Sequence, residues 1–379
     1  MKKKTRKVKK LKVKVSTELN KNVEIQPKQE ELSEKSVIKL PTLCDLESTV
    51  NDTVIGQEQI VKSICTKIYE GICFPNIKNN ILIVGKSGTG KTEIVRQIAN
   101  NLNFPLVIED ATKFTQEGFV GSSVDEMIYD IMSAANNNIN MAQRGIVFVD
   151  EIDKKANQNG NMNYSDISKG DVLKSLLKIM EGTTIKIVNP NFYIDQNESK
   201  AYFLFDTSNL IFIFGGAFEG IDKIREKRLK KSSCIGFSSI EEKAIVINNN
   251  SLKSFTKEDL IEYGMPTEFI GRITNIYETN NLDENNLVKI LATSRGSIFK
   301  KYEAIFKAAG IELEYPKDLF LNIAKKAKMY PTGARELNSQ VSYIFEGIIY
   351  DLLNNKKDYK KCILEEGILN DNHKYHWET

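Results

Sequence analysis

The sequence predicts an α/β fold in which a parallel sheet is covered by helices on both faces. Short apolar runs recur between residues 81 and 214, and segments with helical periodicity separate them. The runs are ILIV (81–84), PLVIE (105–109), IVFVD (146–150) and LIFIF (210–214). Because such runs are apolar on both faces, they are typical of buried parallel strands rather than of half-exposed antiparallel ones.

The helical segments and the change in pattern along the chain predict three regions. An amphipathic helix is expected within VIGQEQIVKSICTKIYEGI (54–72), and a second one carries Ile94, Ile98 and Leu102 on one face. Residues 1–42 are polar and aperiodic, so they are predicted to form a disordered arm. A large nucleotide-binding domain is expected over 43–282. A smaller, mainly helical domain should follow over 283–379, where Leu337, Val341, Ile344, Ile348 and Leu352 recur at helical spacing.

Charge and composition exclude several classes of protein. Nine of the 53 Lys and Arg residues lie within residues 1–14, so the net charge of +3 belongs to the arm while the rest is mildly acidic. Such an arm can bind nucleic acid, anionic lipid or an acidic partner, but a solvated tail is the preferred interpretation. No apolar run is long enough for a membrane helix or signal peptide, which predicts a cytoplasmic protein. The five cysteines form no C-x-x-C pair and are expected to be free thiols.

A phosphate-binding loop is predicted at GKSGTGKT (85–92), which fits the pattern G-x-x-x-x-G-K-[ST]. It stands between the predicted strand 81–84 and a helix opening at Lys91. Backbone N–H groups of such a loop surround phosphate oxygens, Lys91 reaches the β and γ phosphates, and Thr92 is a ligand for Mg²⁺. The predicted nucleotide-binding residues are Gly85, Lys86, Ser87, Gly88, Thr89, Gly90, Lys91 and Thr92.

A pair of carboxylates is predicted to complete this site. The buried run 146–149 is followed by Asp150 and Glu151. Asp150 is expected to hold Mg²⁺, and Glu151 to orient and polarise the attacking water, with Lys91 assisting catalysis. The pair therefore indicates hydrolysis of a nucleoside triphosphate rather than storage of a nucleotide.

Several further motifs occur in an order that resembles the AAA+ ATPases, and more narrowly the ClpX family of ring-shaped protein unfoldases that feed the ClpP peptidase. The resemblance extends from near Leu43 to near Leu369. The motifs are DTVIGQEQ (52–59), EDATKFTQEGFVG (109–121), AQRGIVFVDEIDK (142–154), DTSNLIFIFGGAF (206–218), CIGF (234–237), EFIGR (268–272) and TGAR (332–335).

The resemblance implies ATP and Mg²⁺ as cofactors, a homo-oligomeric ring of six subunits, and polypeptide substrates. Val54 and Ile55 would flank the adenine. Phe119 and Val120, between two glycines, would line the axial channel and push the substrate chain. Arg272 would act as an arginine finger on the neighbouring subunit, which is consistent with the bidentate recognition of phosphate by guanidinium groups.

Two further roles are implied by the resemblance. Arg335 would be the arginine of the C-terminal domain that binds and senses the nucleotide and assists catalysis. Ile235, Gly236 and Phe237 form an apolar trio between serines and would dock on a ClpP-like peptidase, because exposed apolar residues in a polar loop suit a partner's pocket.

The sequence departs from the family at four places. No cysteine precedes Cys44, so the family's N-terminal zinc-binding domain is expected to be missing. The segments at the pore entry (189–202) and at the second pore loop (157–171) have diverged. Gly215 and Gly216 stand where many AAA+ proteins carry a polar sensor, so no sensor is assigned. The predicted function is an ATP-dependent unfoldase with altered substrates.

Three alternatives remain open. A remodelling chaperone with the same motor and no peptidase would be favoured if the trio 235–237 were buried. A nucleic-acid-associated ATPase would use the basic arm and bind in a salt-dependent way. A HslU-type unfoldase is disfavoured, because no long insertion follows the carboxylate strand between Lys154 and Lys169.

Overall fold

The computed structural model describes residues 40–74, 77–114, 124–156, 173, 176–188, 202–234, 254–330, 332–354 and 359–379. The strands, in chain order, are β1 (Ile81–Val84), β2 (Leu106–Asp110), β3 (Ile146–Asp150), β4 (Thr184–Val188), β5 (Tyr202–Asp206), β6 (Ile211–Gly216), β7 (Asn275–Glu278), β8 (Glu312–Glu314), β9 (Lys361–Leu364) and β10 (Tyr375–Glu378).

Twelve α-helices can be labelled within these ranges, and they are α1 (Leu43–Asn51), α2 (Glu58–Cys73), α3 (Lys91–Leu102), α4 (Val124–Ala134), α5 (Ile139–Ala142), α6 (Ile221–Cys234), α7 (Lys257–Tyr263), α8 (Thr267–Arg272), α9 (Glu284–Ala292), α10 (Ile298–Ala308), α11 (Leu319–Lys328) and α12 (Arg335–Asn354). Two short 3₁₀ turns occur, one directly after β2 at Ala111–Lys113 and one at Ile152–Lys155, separated from β3 by Glu151. The predicted start of the compact region near Leu43 coincides with α1, where the Thr42 hydroxyl caps the helix by accepting from the Asp45 amide.

The central sheet has five parallel strands in the order β2-β3-β6-β1-β7. All four residues of β1 are buried, as are the first four of β3 and the last five of β6. These burial patterns confirm the predicted α/β fold with its parallel sheet. Because all five strands run the same way, the segments that follow β1, β3, β6 and β7 meet at one edge of the sheet, where ligands bind in open α/β folds.

The C-terminal part of the chain has its own hydrophobic cluster. One cluster lies between Leu82 and Ile273 in sequence, and a second is formed between Leu287 and Leu369, mainly by α9 to α12. The predicted boundary at residue 282 falls between these clusters and stays a prediction. Contacts between the two regions include a hydrogen bond from the Ser294 hydroxyl to the Thr53 carbonyl at 2.9 Å and an ion pair of Arg295 with Asp52.

Several strands have no counterpart among the predicted apolar runs. β7 forms the sheet edge next to β1, although its burial is only partial. β4 and β5 form an antiparallel pair, and β8, β9 and β10 form a small sheet within the C-terminal region. The C-terminal region is therefore mainly helical, as predicted, but carries a sheet that the sequence pattern did not indicate. Among the described helices, none is both long and apolar enough to cross a membrane.

Candidate nucleotide site

The phosphate loop lies between β1 and α3, and its lysine is folded into it. Helix α3 begins at Lys91, as predicted, and Gly88 and Gly90 have positive φ angles of 76° and 98°. The Lys91 side chain is only 8% exposed, and its Nζ atom donates to the carbonyls of Gly85 and Lys86. Burial lowers the pKa of Lys91, and the nearby carboxylate of Asp150 opposes this shift. The loop therefore holds the Lys91 ammonium group inside a ring of its own backbone groups.

The two predicted metal ligands lie side by side. Thr92 Oγ1, in the first turn of α3, donates to Asp150 Oδ2 at the end of β3, over 3.1 Å. The other carboxylate oxygen, Asp150 Oδ1, accepts from the Glu151 amide at 2.9 Å. One hydroxyl and one carboxylate are the few protein oxygens that Mg²⁺ takes when phosphates and water complete its octahedral shell. The donor set thus fits the predicted ion.

Glu151 has an unusual backbone conformation. Its φ and ψ angles of 56° and 33° lie in the left-handed region, which a non-glycine residue adopts at a cost of about 1–3 kcal/mol. The residue stands between the end of β3 and the 3₁₀ turn Ile152–Lys155, and its side chain is exposed. Asp150 is half-buried and hydrogen-bonded, whereas Glu151 is exposed, so the two neighbouring carboxylates have different surroundings.

Asp153 was not predicted as a site residue, but it fixes the turn that follows Glu151. Its buried carboxylate accepts from the backbone amides of Ala217 and Phe218, each at 3.2 Å. The end of β6 is thereby tied to the end of β3. The signal in the sequence was the acidic residue within DEIDK, which periodicity alone does not distinguish from an exposed turn residue.

Gly215, at the end of β6, lies too close to the carboxylate strand for a side chain. A Cβ atom at this position would come within 2.7 Å of Phe148 Cζ and 3.0 Å of Asp150 Oδ1. In real proteins, Cβ contacts below 3.0 Å are essentially absent. The glycine found where a polar sensor was sought therefore makes room for the carboxylate that is expected to hold the metal.

A buried glutamine behind the phosphate loop was also missed. Gln57 is fully buried, and its Nε2 atom donates to the carbonyls of Thr89 and Asn280, at 3.1 and 2.8 Å. Its Oε1 atom accepts from the Asn280 amide, and the Asn280 side chain donates back to the Gly56 carbonyl. Three segments far apart in sequence are thus connected by one amide. Gln57 stands within the motif 52–59, two residues after Ile55. Val54 is buried and Ile55 is half-buried.

Arg335 reaches the phosphate loop from the C-terminal region. It is the first residue of α12, and its Nη1 atom donates to Ser87 Oγ at 3.2 Å. The backbone takes part as well, because the Ala334 amide donates to the Gly88 carbonyl at 3.2 Å. A Cβ atom on Gly88 would lie 2.0 Å from the Thr332 carbonyl oxygen, so only glycine allows this approach.

Arg272 is placed differently. It ends α8, its side chain is 52% exposed, and its guanidinium pairs with Glu181. Its backbone carbonyl accepts from Asn80 Nδ2 just before β1. An action on a neighbouring subunit stays a prediction. The predicted pore residues Phe119 and Val120, and the predicted docking residues Ile235, Gly236 and Phe237, lie outside the described residues.

Comparison with known proteins agrees with this geometry. Residues 76–276 match the family described as AAA domain (Cdc48 subfamily). Together with the phosphate loop, Asp150 and Glu151, this match defines the class of protein as an AAA ATPase, an enzyme that binds and hydrolyses nucleotide.

The relatives narrow the class. The chain is 34% identical over 354 residues to the ATP-dependent Clp protease ATP-binding subunit ClpX of Borrelia duttonii, an alignment that covers 90% of this chain and 81% of that protein. The proteins of the same name from Bacteroides thetaiotaomicron and Treponema denticola are each 33% identical, over 334 and 324 residues, covering 85% and 82% of this chain and 80% and 77% of theirs. The chain therefore belongs to the ClpX family of AAA ATPases.

Proposed function

We propose that this chain is an ATP-dependent protein unfoldase that threads polypeptides through the pore of a six-subunit ring and delivers them to a ClpP-like peptidase. One observation carries the enzymatic part: Thr92 Oγ1 and Asp150 Oδ2 lie 3.1 Å apart at the mouth of the phosphate loop, with Glu151 as the next residue. The relatives named ATP-binding subunits of Clp protease support the mechanical part.

The residues of the loop have separate tasks in this proposal. Lys91 exchanges its bonds to the Gly85 and Lys86 carbonyls for the more strongly charged oxygens of a triphosphate, which favours the bound state. Thr92 and Asp150 hold Mg²⁺, and the ion neutralises charge on the phosphates when bound. Arg335, already 3.2 Å from Ser87 Oγ, adds a guanidinium from the C-terminal region.

Glu151 is the proposed general base. Its exposed side chain is free to accept a proton from water, whereas Asp150 is occupied by the Thr92 hydroxyl and the Glu151 amide. A carboxylate within reach of the attacking water raises hydrolysis by about 100- to 10,000-fold in enzymes of this kind. The left-handed backbone at Glu151 is stored strain at a functional position, which supports this role.

The remaining parts of the proposal concern the assembly. Val54 and Ile55 flank the adenine, and Arg272 acts on the nucleotide of the neighbouring subunit, for which its half-exposed side chain is suited. Phe119 and Val120 grip the substrate by apolar contact that tolerates many sequences. Ile235, Gly236 and Phe237 dock on the peptidase.

The test follows a tagged, folded fluorescent reporter in the presence of ATP, with and without ClpP. We expect ATP-dependent loss of fluorescence, and fragments only when ClpP is added. A pull-down with ClpP should retain the wild-type protein and lose Phe237→Ala. Phe74→Ala, at a phenylalanine that is exposed in the described part of the chain, is the control.

Two outcomes would change the proposal. Loss of fluorescence without fragments, and equal absence of wild type and Phe237→Ala from the pull-down, would indicate a remodelling chaperone with no peptidase partner. Stimulation of ATP hydrolysis by DNA or RNA but not by unfolded protein would indicate the nucleic-acid alternative.

A further inference from the structure

Lys155 is a buried lysine at the end of the 3₁₀ turn that follows Asp150 and Glu151. Its side chain is only 8% exposed, whereas the preceding residue, Lys154, is exposed. Lys155 Nζ donates to the backbone carbonyl of Phe114 at 2.9 Å. Lysines are almost never buried unless their charge is paired or hydrogen-bonded, because the ammonium loses its hydration. A buried lysine at this position therefore calls for a role that an aliphatic residue could not fill.

Phe114 lies at a comparable position on the neighbouring strand. β2 and β3 pair in parallel with Asp110 opposite Asp150. A 3₁₀ turn follows β2 directly, and another follows β3 after one residue, Glu151. Phe114 comes immediately after the first of these turns and is buried. It precedes the motif 118–121 that is predicted to grip the substrate. The Lys155 hydrogen bond thus joins the turn beside Asp150 and Glu151 to Phe114, the last described residue before that motif.

The same turn is held from its other side. The Asp153 carboxylate accepts from the amides of Ala217 and Phe218 at the end of β6. A displacement of the chain at Asp150 or Glu151 is therefore not absorbed freely by the turn. It reaches the chain after β6 through Asp153 and the chain after β2 through Lys155, because both side chains are hydrogen-bonded to backbone groups rather than to movable side chains.

We propose that Lys155 is a positioning residue that couples the state of the nucleotide site to the predicted substrate-gripping segment after Phe114. This inference rests on the proposed function, since it assumes that residues 118–121 contact polypeptide. Lys155 touches neither nucleotide nor substrate in this role. It sets the position of one loop base relative to the carboxylates, so its loss should affect coupling between the two activities more than hydrolysis itself.

The first test measures ATP hydrolysis without and with an unfolded polypeptide, reduced casein, for wild type, Lys155→Met, Lys155→Arg and Lys154→Met. Methionine is an unbranched side chain only one atom shorter than lysine and is readily buried, but it has no hydrogen-bond donor. We expect Lys155→Met to hydrolyse ATP at the wild-type basal rate. Its stimulation by casein should be lower than that of wild type by a factor of about 2 to 30, which corresponds to the coupling energies typical of residues between two sites. Lys155→Arg should restore stimulation, and Lys154→Met should behave as wild type.

A second test needs no substitution at Lys155. In Glu151→Gln protein, which is expected to retain ATP, amide hydrogen exchange is followed with and without ATP. We expect ATP to slow exchange in the segments 150–156 and 111–116 together, over the same range of ATP concentration. This measurement tests the coupling between the two segments even if Lys155→Met is too unstable to assay, which its thermal melting curve would show.

Unchanged stimulation in a folded Lys155→Met protein, or protection of 150–156 without 111–116, would overturn the role of Lys155. Failure of the proposed function gives a different result, because casein would then leave the wild-type rate unchanged while the exchange experiment still reports on the link.

Discussion

In the proposed function Lys91 and Glu151 serve different steps, so their substitutions should separate nucleotide binding from hydrolysis. Lys91→Ala removes a charged donor from the phosphate loop and should weaken ATP binding by about 1.5–3 kcal/mol, roughly 10- to 150-fold in Kd. Glu151→Gln should bind ATP as wild type does and hydrolyse it at least about 100-fold more slowly. Titration with a fluorescent ATP analogue and a phosphate-release assay measure the two effects. Lys62→Ala, at an exposed lysine of α2, is the control.

A normal turnover rate for Glu151→Gln would contradict the role of Glu151 as the base. Tight ATP binding by Lys91→Ala would likewise contradict the assignment of the phosphate loop, since no other residue in the described loop combines burial with a cationic side chain.

Glu109, in β2, carries a pKa that burial raises and that the charge of Asp130 raises further. A carboxyl group with a raised pKa holds its proton longer in the folded state than in the unfolded one. Stability is therefore lost as the pH rises from the unfolded pKa of about 4.5 through the folded value. Glu109→Gln should raise Tm at pH 8 relative to wild type, with a smaller gain at pH 5. Thermal melting at both values checks this.

Glu268→Gln, at an exposed glutamate of α8, is the matched control and should change stability by less than about 0.5 kcal/mol at either pH. A Glu109→Gln protein whose Tm gain is the same at pH 5 and pH 8 would show that the carboxylate is not strained by its burial.

At the scale of elements, the contact between β6 and β3 should tolerate no side chain at Gly215. Gly215→Ala places a methyl group within 2.7 Å of Phe148 and 3.0 Å of Asp150, so the strands must separate or Asp150 must move. Overpacking of this kind costs about 1–3 kcal/mol in stability. We expect a lower Tm together with slower ATP hydrolysis.

Gly271→Ala is the matched control, because nothing lies within 4 Å of a Cβ atom there and the residue is inside α8. It should leave hydrolysis unchanged and stabilise the protein slightly, since alanine favours helices. Equal hydrolysis by wild type and Gly215→Ala would show that β6 does not constrain Asp150.

The elements that the sequence predicted best are those buried on both faces. The runs ILIV, IVFVD and LIFIF correspond to β1, β3 and β6. They could be predicted because four or more consecutive apolar residues are typical of parallel strands that are buried on both faces of a sheet. β7 was missed because its residues are only partly buried, as befits an edge strand whose NIYE sequence carries no apolar run. The small C-terminal strands were missed for the same reason, and because β8 has only three residues.

The residues of the site also divide into those that the sequence predicted and those that it missed. A phosphate loop and the carboxylates after a strand are local patterns, so Lys91, Thr92, Asp150 and Glu151 could be predicted from sequence alone. Gln57 and Asp153 form hydrogen bonds with backbone groups that lie 223 and 65 residues away in sequence. A local sequence pattern does not predict such distant partners. The position of Arg335 followed only from the family resemblance, since its contact with Ser87 spans 248 residues.

At the scale of the whole molecule, the exposed Arg272 allows a test of whether subunits complete one another's sites. Arg272→Ala and Glu151→Gln proteins should each hydrolyse ATP poorly alone. When they are mixed in equal amounts, an Arg272→Ala subunit that receives the arginine of a Glu151→Gln neighbour becomes competent. In a ring with head-to-tail contacts and random mixing, about one quarter of the sites should recover. Hydrolysis is measured after the subunits are mixed and allowed to exchange.

A mixture no more active than its components would contradict a finger acting between subunits. Mixing the Glu151→Gln protein with the Lys91→Ala protein provides a control for the effect of exchange itself, because both variants keep Arg272 but each has a defect in its own site that a neighbour's arginine does not repair.

The contact of Gly88 with Thr332 and Ala334 has a consequence for how the molecule melts. The Gly88 carbonyl, in the loop that is expected to receive ATP, accepts from the Ala334 amide in the segment leading into α12. The parts of the chain before and after residue 282 therefore meet at the predicted nucleotide site. A ligand held by both regions makes their unfolding cooperative. Differential scanning calorimetry of the Glu151→Gln protein should therefore show two overlapping heat-absorption peaks that fuse into one when ATP is added. Two peaks that keep their spacing in saturating ATP would mean that the contact of Gly88 with Thr332 and Ala334 does not couple the unfolding of the two regions.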